Sequence, residues 1–280
     1  MSDKSKIEWT DATWNAVTGC TKVSEGCRNC YALKFAERWR GTPGHYFENG
    51  FDVTLRPDKL DKPLKWKRPR KIFVNSMSDL FHESIDEKYI AKVFGIMALA
   101  QQHTFQVLTK RPERMMKLLN SEDFQEHSGW FASQACREYG YNRPETLPNW
   151  PNPNIWLGTS VENQKAADER IPLLLQTPAA IRFLSCEPLL GPVDLEFWVQ
   201  FEHPDNEGYG VEAIKGLDWV ITGSESGNGA RPMDEEWVIN LRDQCTDSGV
   251  SFFYKQNTIN GKKVPTPELE GRQWTEFPEV

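Results

Sequence analysis

Between Ile72 and Tyr254 the sequence switches repeatedly between two apolar periods, and this alternation restricts the fold more than any single motif. Short runs rich in β-branched and aromatic residues read as buried strands: Ile72–Asn75, Thr104–Thr109, Ile155–Gly158, Ile181–Ser185, Trp219–Thr222 and Val250–Tyr254. Between them, residues 87–102, 112–119, 164–175 and 235–247 carry apolar side chains at helical spacing; in the first, Ile90, Val93, Phe94 and Met97 share one face. Upstream, Thr13–Thr18 serves as a first strand. Tyr31–Arg40 has the helical spacing of Tyr31, Phe35, Ala36 and Trp39 before Gly41-Thr-Pro-Gly44 stops it. Strands alternating with helices form a mostly parallel sheet with helices packed outside. Six or seven such units, with no Gly-rich dinucleotide turn after the first strand, predict an α/β fold, a partial (β/α)6-7 barrel rather than an open doubly wound sheet.

At 280 residues and 39% hydrophobic, the chain is long enough to bury a full core. The expected organisation is one domain over 1–262, with insertions near 41–70, 121–153 and 196–216. The first two read as irregular, and a loosely packed tail follows over 263–280. No apolar run is long enough to cross a bilayer, and Met-Ser-Asp-Lys-Ser-Lys has no apolar stretch behind it, so a cytoplasmic protein is expected. The net charge of −7 argues against a general nucleic-acid coat. A local run, Lys65-Trp-Lys-Arg-Pro-Arg-Lys71, is the exception; its cations and Trp66 suit phosphate and base contact, against the plainer reading of a solvated face.

Six cysteines do not make a disulfide scaffold in a chain of this size. Three of them, Cys20, Cys27 and Cys30, fall together in the spacing C-x6-C-x2-C, while Cys136, Cys186 and Cys245 stand alone and read as small buried apolar residues. Thiolate sulfur selects zinc or iron–sulfur chemistry. A closed zinc site wants four ligands, and His45 and His82 are the histidines best placed to add one. Three cysteines alone would leave one iron of a cubane cluster open.

Polar blocks follow the strands: Asn75-Ser-Met-Ser-Asp79, Thr109-Lys-Arg111, Gly158-Thr-Ser-Val-Glu-Asn163, Ser185-Cys-Glu-Pro188, Gly223-Ser-Glu-Ser-Gly227 and Lys255-Gln256. In a βα-barrel such loops line the reactive rim. Turn and cap chemistry explains Ser78, Thr159 or Ser226, but not the recurrence of Lys110, Arg111, Glu162, Glu187, Glu225 and Lys255 in these blocks. The Gly223–Gly229 run suits a phosphate or carboxylate but lacks the ending of a triphosphate loop. No hydrolase triad or His-Glu-x-x-His pattern appears.

The three-cysteine loop with Tyr31 directly after Cys30 resembles the cluster loop of radical S-adenosylmethionine (SAM) enzymes, whose usual spacing is C-x3-C-x2-C. Ile7-Glu-Trp-Thr-Asp-Ala-Thr-Trp-Asn15, leading into Gly19-Cys20-Thr-Lys, resembles a narrower phage and bacterial family of radical-SAM-like proteins of unsettled activity, some encoded beside a partner protein. The similarity runs from Ile7 to about Gln256, with Ala16 and Glu25 where that family has Pro, Ser224 where it has Gly, and Asn257 where it has Trp. The resemblance implies a [4Fe–4S] cluster on Cys20, Cys27 and Cys30, its open iron chelating SAM, and reductive cleavage of SAM to a 5′-deoxyadenosyl radical. It implies SAM contacts from Ser76, Ser78, Asp79, Ser160, Glu162 and Asn163. Lys110, Arg111, Glu187, Glu225 and Lys255 are then left for substrate, with a nucleic-acid base or nucleotide expected. Two other readings stand beside it: a zinc-stabilised nucleic-acid-binding protein without catalysis, and the cluster-bearing subunit of a two-protein assembly.

Overall fold

A computed structural model describes residues 4–142, 149–201, 209–227, 229–259 and 262–279. Its elements are, in order, β1 (Ala12–Trp14), β2 (Val17–Thr18), α1 (Tyr31–Glu37), β3 (Thr54–Leu55), α2 (Lys62–Lys65), β4 (Lys71–Val74), α3 (Glu87–Leu99), β5 (Thr104–Thr109), α4 (Pro112–Leu119), α5 (Glu122–Tyr139) and β6 (Ile155–Ser160). There follow α6 (Gln164–Leu175), β7 (Ile181–Cys186), β8 (Trp198–Phe201), β9 (Tyr209–Glu212), β10 (Trp219–Gly223), α7 (Glu235–Ser248), β11 (Ser251–Ile259), β12 (Lys262–Pro265), β13 (Glu268–Leu269) and β14 (Arg272–Gln273). The main sheet has eight strands in the order β1-β4-β5-β6-β7-β10-β11-β12, so the mixed α/β class with a mostly parallel sheet holds. The chain divides into two compact units, Met1–Leu157 with Thr177–Ala180, and Gly158–Gln176 with Ile181–Val280. Among the described residues no helix is long and apolar enough to cross a membrane.

In the first unit β1, β4 and β5 pair in parallel, with Trp14 opposite Val74 and Val74 opposite Val107, all buried. Asp86 caps α3 by accepting from the Lys88 amide, and nearly all of that helix is buried, as expected of one that is apolar on every side. Its main neighbour is α5, with Phe94 meeting Phe124 edge to face at 5.5 Å. This corrects the expected irregular stretch over 121–153, of which residues 143–148 lie outside the described set. Ser121 caps α5 at its start and Gly140, at φ 64°, closes it. The buried face of α5 is Phe124 followed by Ser128, Ala132 and Ala135, and after Phe124 its small side chains escape a search for large apolar residues.

In the second unit β7, β10 and β11 run parallel, placing Cys186, Thr222 and Tyr254 side by side, and β12 turns back antiparallel on β11. The 196–216 insertion contributes the small β8–β9 ribbon, with residues 202–208 outside the described set. The tail is not loose. Leu269 and Trp274 are buried, the Tyr254 amide donates to Trp274 O at 2.8 Å, Trp219 Nε1 donates to Glu276 O at 2.9 Å, and the Phe277 ring sits 5.0 Å from that of Trp219. Glu270 and Gly271, both at positive φ, form the tight turn between β13 and β14. Gly271 marks this turn, and the apolar anchors of the tail follow no regular period.

Candidate functional site

The cysteine loop is built onto the first unit at one end and left loose in its middle. Strand β2 pairs with β3, and Gly19 bridges to Ser78, its amide donating to Met77 O at 2.9 Å. Gly19 has φ +85°, and a Cβ there would sit 2.2 Å from Asp52 O, so glycine is required just before Cys20. The Cys20 amide donates to Phe51 O at 3.2 Å. Beyond it the chain is largely exposed, and the tight turn Glu25–Cys27 buries no residue. Cys30 then sits at the N-cap of α1. Cys20 and Cys30 both pack against the apolar cluster of Ala32, Ala36, Phe47 and Phe51.

One ion network joins this loop to the carboxyl ends of β4 and β5. Arg111 donates from Nη1 to Cys20 Sγ at 3.4 Å and to Asp79 Oδ2 at 3.2 Å, from Nε to Glu83 at 2.8 Å, and from Nη2 to Thr21 Oγ1 at 2.8 Å. Asp79 is 6% exposed and its carboxylate is filled: Oδ1 accepts from Phe81 N and Thr109 Oγ1, Oδ2 from Lys110 N as well as Arg111. Burial, and after it the Asp79 charge, push the Cys20 thiol up to about 11 against the opposing pull of Arg111. His82 is buried with its Nε2 2.9 Å from Thr21 Oγ1; burial and then Arg111 hold it below the ordinary histidine value, so its ring is neutral at physiological pH.

The donor chemistry of the loop fits a thiolate-bound metal group. Cys27 is near enough to Cys20 to add to the upward push on its thiol, and all three thiols are free and partly buried. Among the described residues, however, no three His, Cys, Asp or Glu side chains converge on one point as metal ligands do. Closing the loop on a metal therefore means moving the Glu25–Cys27 turn, which costs little because nothing in it is buried. His45 is not near convergence either; its ring stacks on Trp39 at 4.1 Å.

The other expected residues of this unit divide by occupation. Ser78 Oγ donates to Val17 O at 2.8 Å and fastens β2, while Ser76 Oγ donates to Asn15 Oδ1 at 3.3 Å and Ser76 O accepts from Tyr31 OH at 2.6 Å. Lys110 is half-buried, and its ammonium has no partner among the described residues. In the basic run Lys65–Lys71, the Trp66 ring is buried, with Arg70 at 4.8 Å and Lys62 at 5.3 Å from its centroid. Expected base stacking on Trp66 is thus corrected: the ring is already committed.

The second unit holds the remaining candidates in three ion pairs. Glu162 is buried and bound by Arg170 at 2.8 and 3.3 Å, and Arg170 also donates to Ser160 O at 2.7 Å. Asn163 caps α6, its Oδ1 accepting from Ala166 N at 3.0 Å. Glu225 is buried against Arg231 at 2.5 and 3.0 Å. Glu187 meets Lys255 Nζ at 2.9 and 3.1 Å in a half-buried pair, and a Cβ on Gly223 would come 2.7 Å from Glu187 Oε1. The Ser224 amide donates to Gln256 O rather than into a cradle, and Asn228 of the Gly-rich run lies outside the described residues. Cys186 and Cys245 are buried as expected and Cys136 only partly so. The partners Thr21, Glu83, Arg170 and Arg231 went unread in the sequence, since nothing in their local spacing marks them.

Neither the curated proteins nor the solved structures contain a match to this chain. The sequence model of one family, described as Protein of unknown function (DUF5131), matches residues 4–278.

Proposed function

The chain belongs to the DUF5131 family, whose description carries no activity, and we propose from the site itself that it is an iron–sulfur, SAM-dependent enzyme on a partial barrel of the radical-SAM type. The observation behind this reading is the contact of Cys20 with Arg111, which ties a three-thiol loop to the carboxyl ends of parallel strands, where such sheets carry their chemistry. Cys20, Cys27 and Cys30 would hold a [4Fe–4S] group, which when bound supplies one-electron reduction of SAM. Arg111 places a permanent positive charge beside the thiolate, a fixed offset to the negative charge of the ligands. The filled carboxylates of Asp79 and Glu162 and the cap Asn163 act as scaffold. Cofactor contact then falls to Ser76 and to the Lys110 ammonium, which suits the SAM carboxylate.

The test is anaerobic loading with iron and sulfide, then titration with SAM. About four iron atoms per chain, lost in Cys20→Ala, Cys27→Ala and Cys30→Ala and kept in Cys136→Ala, is the expected result. An iron-loaded protein without affinity for SAM would overturn the enzyme reading.

One observation favours a second reading. His82, held below the ordinary histidine value by burial and bonded through Nε2 to the residue next to Cys20, would complete a Cys3His set of the kind that closes a structural zinc site if the three thiols were drawn to it. In that reading the chain is a zinc-stabilised binding protein, and His82→Ala lowers zinc content; under the iron reading that substitution leaves iron content unchanged.

A further inference from the structure

Helix α1 wears its large aromatic side chains on the outside. Tyr31, Phe35 and Trp39 recur every four residues, the last in the turn that ends the helix, and are 51%, 44% and 39% exposed. The inward face is Ala32 and Ala36, with Leu33 partly buried beside them. Each ring is nevertheless held in place. Tyr31 OH donates to Ser76 O, Phe35 meets Phe47 edge on at 5.6 Å, and Trp39 stacks on His45 at 4.1 Å with an interplanar angle of 19°. An exposed aromatic fixed in this way loses little further freedom when something stacks on it.

The charges around the rings are mostly positive. On residues 22–40 Lys22, Arg28, Lys34 and Arg38 are exposed beside Glu25, Arg40 is shared between Glu37 and Asp52, and Glu48, next to Phe47, accepts from the Gly44 amide. On a chain of net charge −7, that concentration is local. We propose that this face binds single-stranded nucleic acid, bases stacking on Tyr31, Phe35 and Trp39 and phosphates meeting Arg28, Lys34 and Arg38. Four residues of helix advance about 6 Å, against about 3.4 Å per nucleotide along a duplex strand. The rings therefore fit an extended, unstacked strand and not a duplex. The flanking cations, with no exposed aliphatic side chain on α1, distinguish the face from an apolar protein contact. Because Cys30 is the N-cap of α1, a strand lying along the helix reaches the thiol loop. Single-stranded nucleic acid is then the substrate class of the proposed enzyme; binding stands without that reading, and only the chemistry after binding rests on it.

The experiment is fluorescence anisotropy of a labelled oligothymidylate of about eight nucleotides with the full chain in metal-free form, at several salt concentrations. Binding that weakens steeply with salt is expected. Phe35→Ala and Trp39→Ala should each weaken it about ten- to a hundredfold, with circular dichroism unchanged because both side chains are exposed. Arg28→Gln with Arg38→Gln should flatten the salt dependence, and Lys67→Gln with Arg68→Gln should not. Absence of binding at low salt, equal affinity for duplex, or unchanged affinity in both aromatic variants overturns the proposal. So does a dimer that Trp39→Ala dissolves, since a second copy would then be the occupant. Because no metal is present, failure here leaves the cluster reading standing, and an oligonucleotide-binding chain that takes up no iron defeats only the cluster reading.

Discussion

Arg111 Nη1 donates to the sulfur of Cys20 at 3.4 Å, across ninety-one residues of sequence. The same nitrogen reaches Asp79, so one guanidinium joins the thiol loop, the segment after β4 and the segment after β5. Arginine cannot give up its proton here, whereas metal binding requires the thiol to lose its own. The contact therefore favours the ligand form of Cys20 against the burial that opposes it.

Asp79 and Lys110 contrast a carboxylate whose oxygens are filled with an ammonium that holds nothing among the described residues. Asp79→Ala removes a buried acceptor from four donors and leaves Arg111 without its most buried partner, so a loss of about 3–5 kcal/mol is expected. Lys110→Ala removes an ammonium that holds nothing among the described residues, and a change within about 0.5 kcal/mol is expected. Urea denaturation of both variants reads the difference directly. Equal stabilities would mean that the Asp79 network does not fasten the site.

Gly19 is the second point of leverage. Alanine there must hold a φ of +85° and drive its methyl into the Asp52 carbonyl, both of which are backbone conflicts. Strain of this sort is worth about 1–3 kcal/mol. Under the proposed cluster reading, Gly19→Ala should lose iron uptake along with stability, whereas Gly26→Ala, in the turn that buries nothing, should retain both.

How much of this was legible in the sequence depends on what each signal encodes. Thr104–Thr109, Pro112–Leu119 and Gln164–Leu175 are readable to the residue, because Pro112 and Asn163 mark helix starts where the apolar period changes. Helix α5 hides because, after Phe124, its buried face is made of small residues, and the tail hides because Leu269, Trp274 and Phe277 follow no period. On α1 the aromatic members of the period, Tyr31, Phe35 and Trp39, point outward while Ala36 points in, since spacing alone does not say which side of a helix is covered. At the site, the spacing of Cys20, Cys27 and Cys30 proclaims the thiol loop. That Asp79 and Glu162 have their oxygens filled depends on Thr109, Arg111 and Arg170, contacts that only the folded chain makes.

Acid should loosen the support behind the cysteine loop. Arg40 bonds both Glu37 and Asp52, and these hydrogen bonds hold the two carboxyls below their usual range. A depressed carboxyl contributes stability that is present above its unfolded value, near 4, and is lost as pH falls through the folded value. Limited proteolysis between residues 40 and 52 should therefore accelerate below about pH 4. Arg40→Gln should raise cleavage at neutral pH and remove that acid step; a step that persisted in the variant would assign it to other groups.

Glu162 and Glu187 look alike in the sequence, each following a strand, but they stand in different surroundings. Glu162 has 2% of its side chain exposed and is gripped by Arg170, whose side chain is 9% exposed, so Glu162→Ala strands a buried guanidinium and should cost about 3–5 kcal/mol. Glu187 and Lys255 retain 12% and 16% exposure, and water can reach either partner once the other is removed. Lys255→Ala should thus cost roughly 1–2 kcal/mol, nearer the range of a hydrogen bond to a charged group. The measurement is the urea midpoint of each variant, checked for an unchanged slope so that the midpoints compare stability alone. If Lys255→Ala proved as damaging as Glu162→Ala, Lys255 would be scaffold as well, and Glu187 would lose its standing as a group available to substrate.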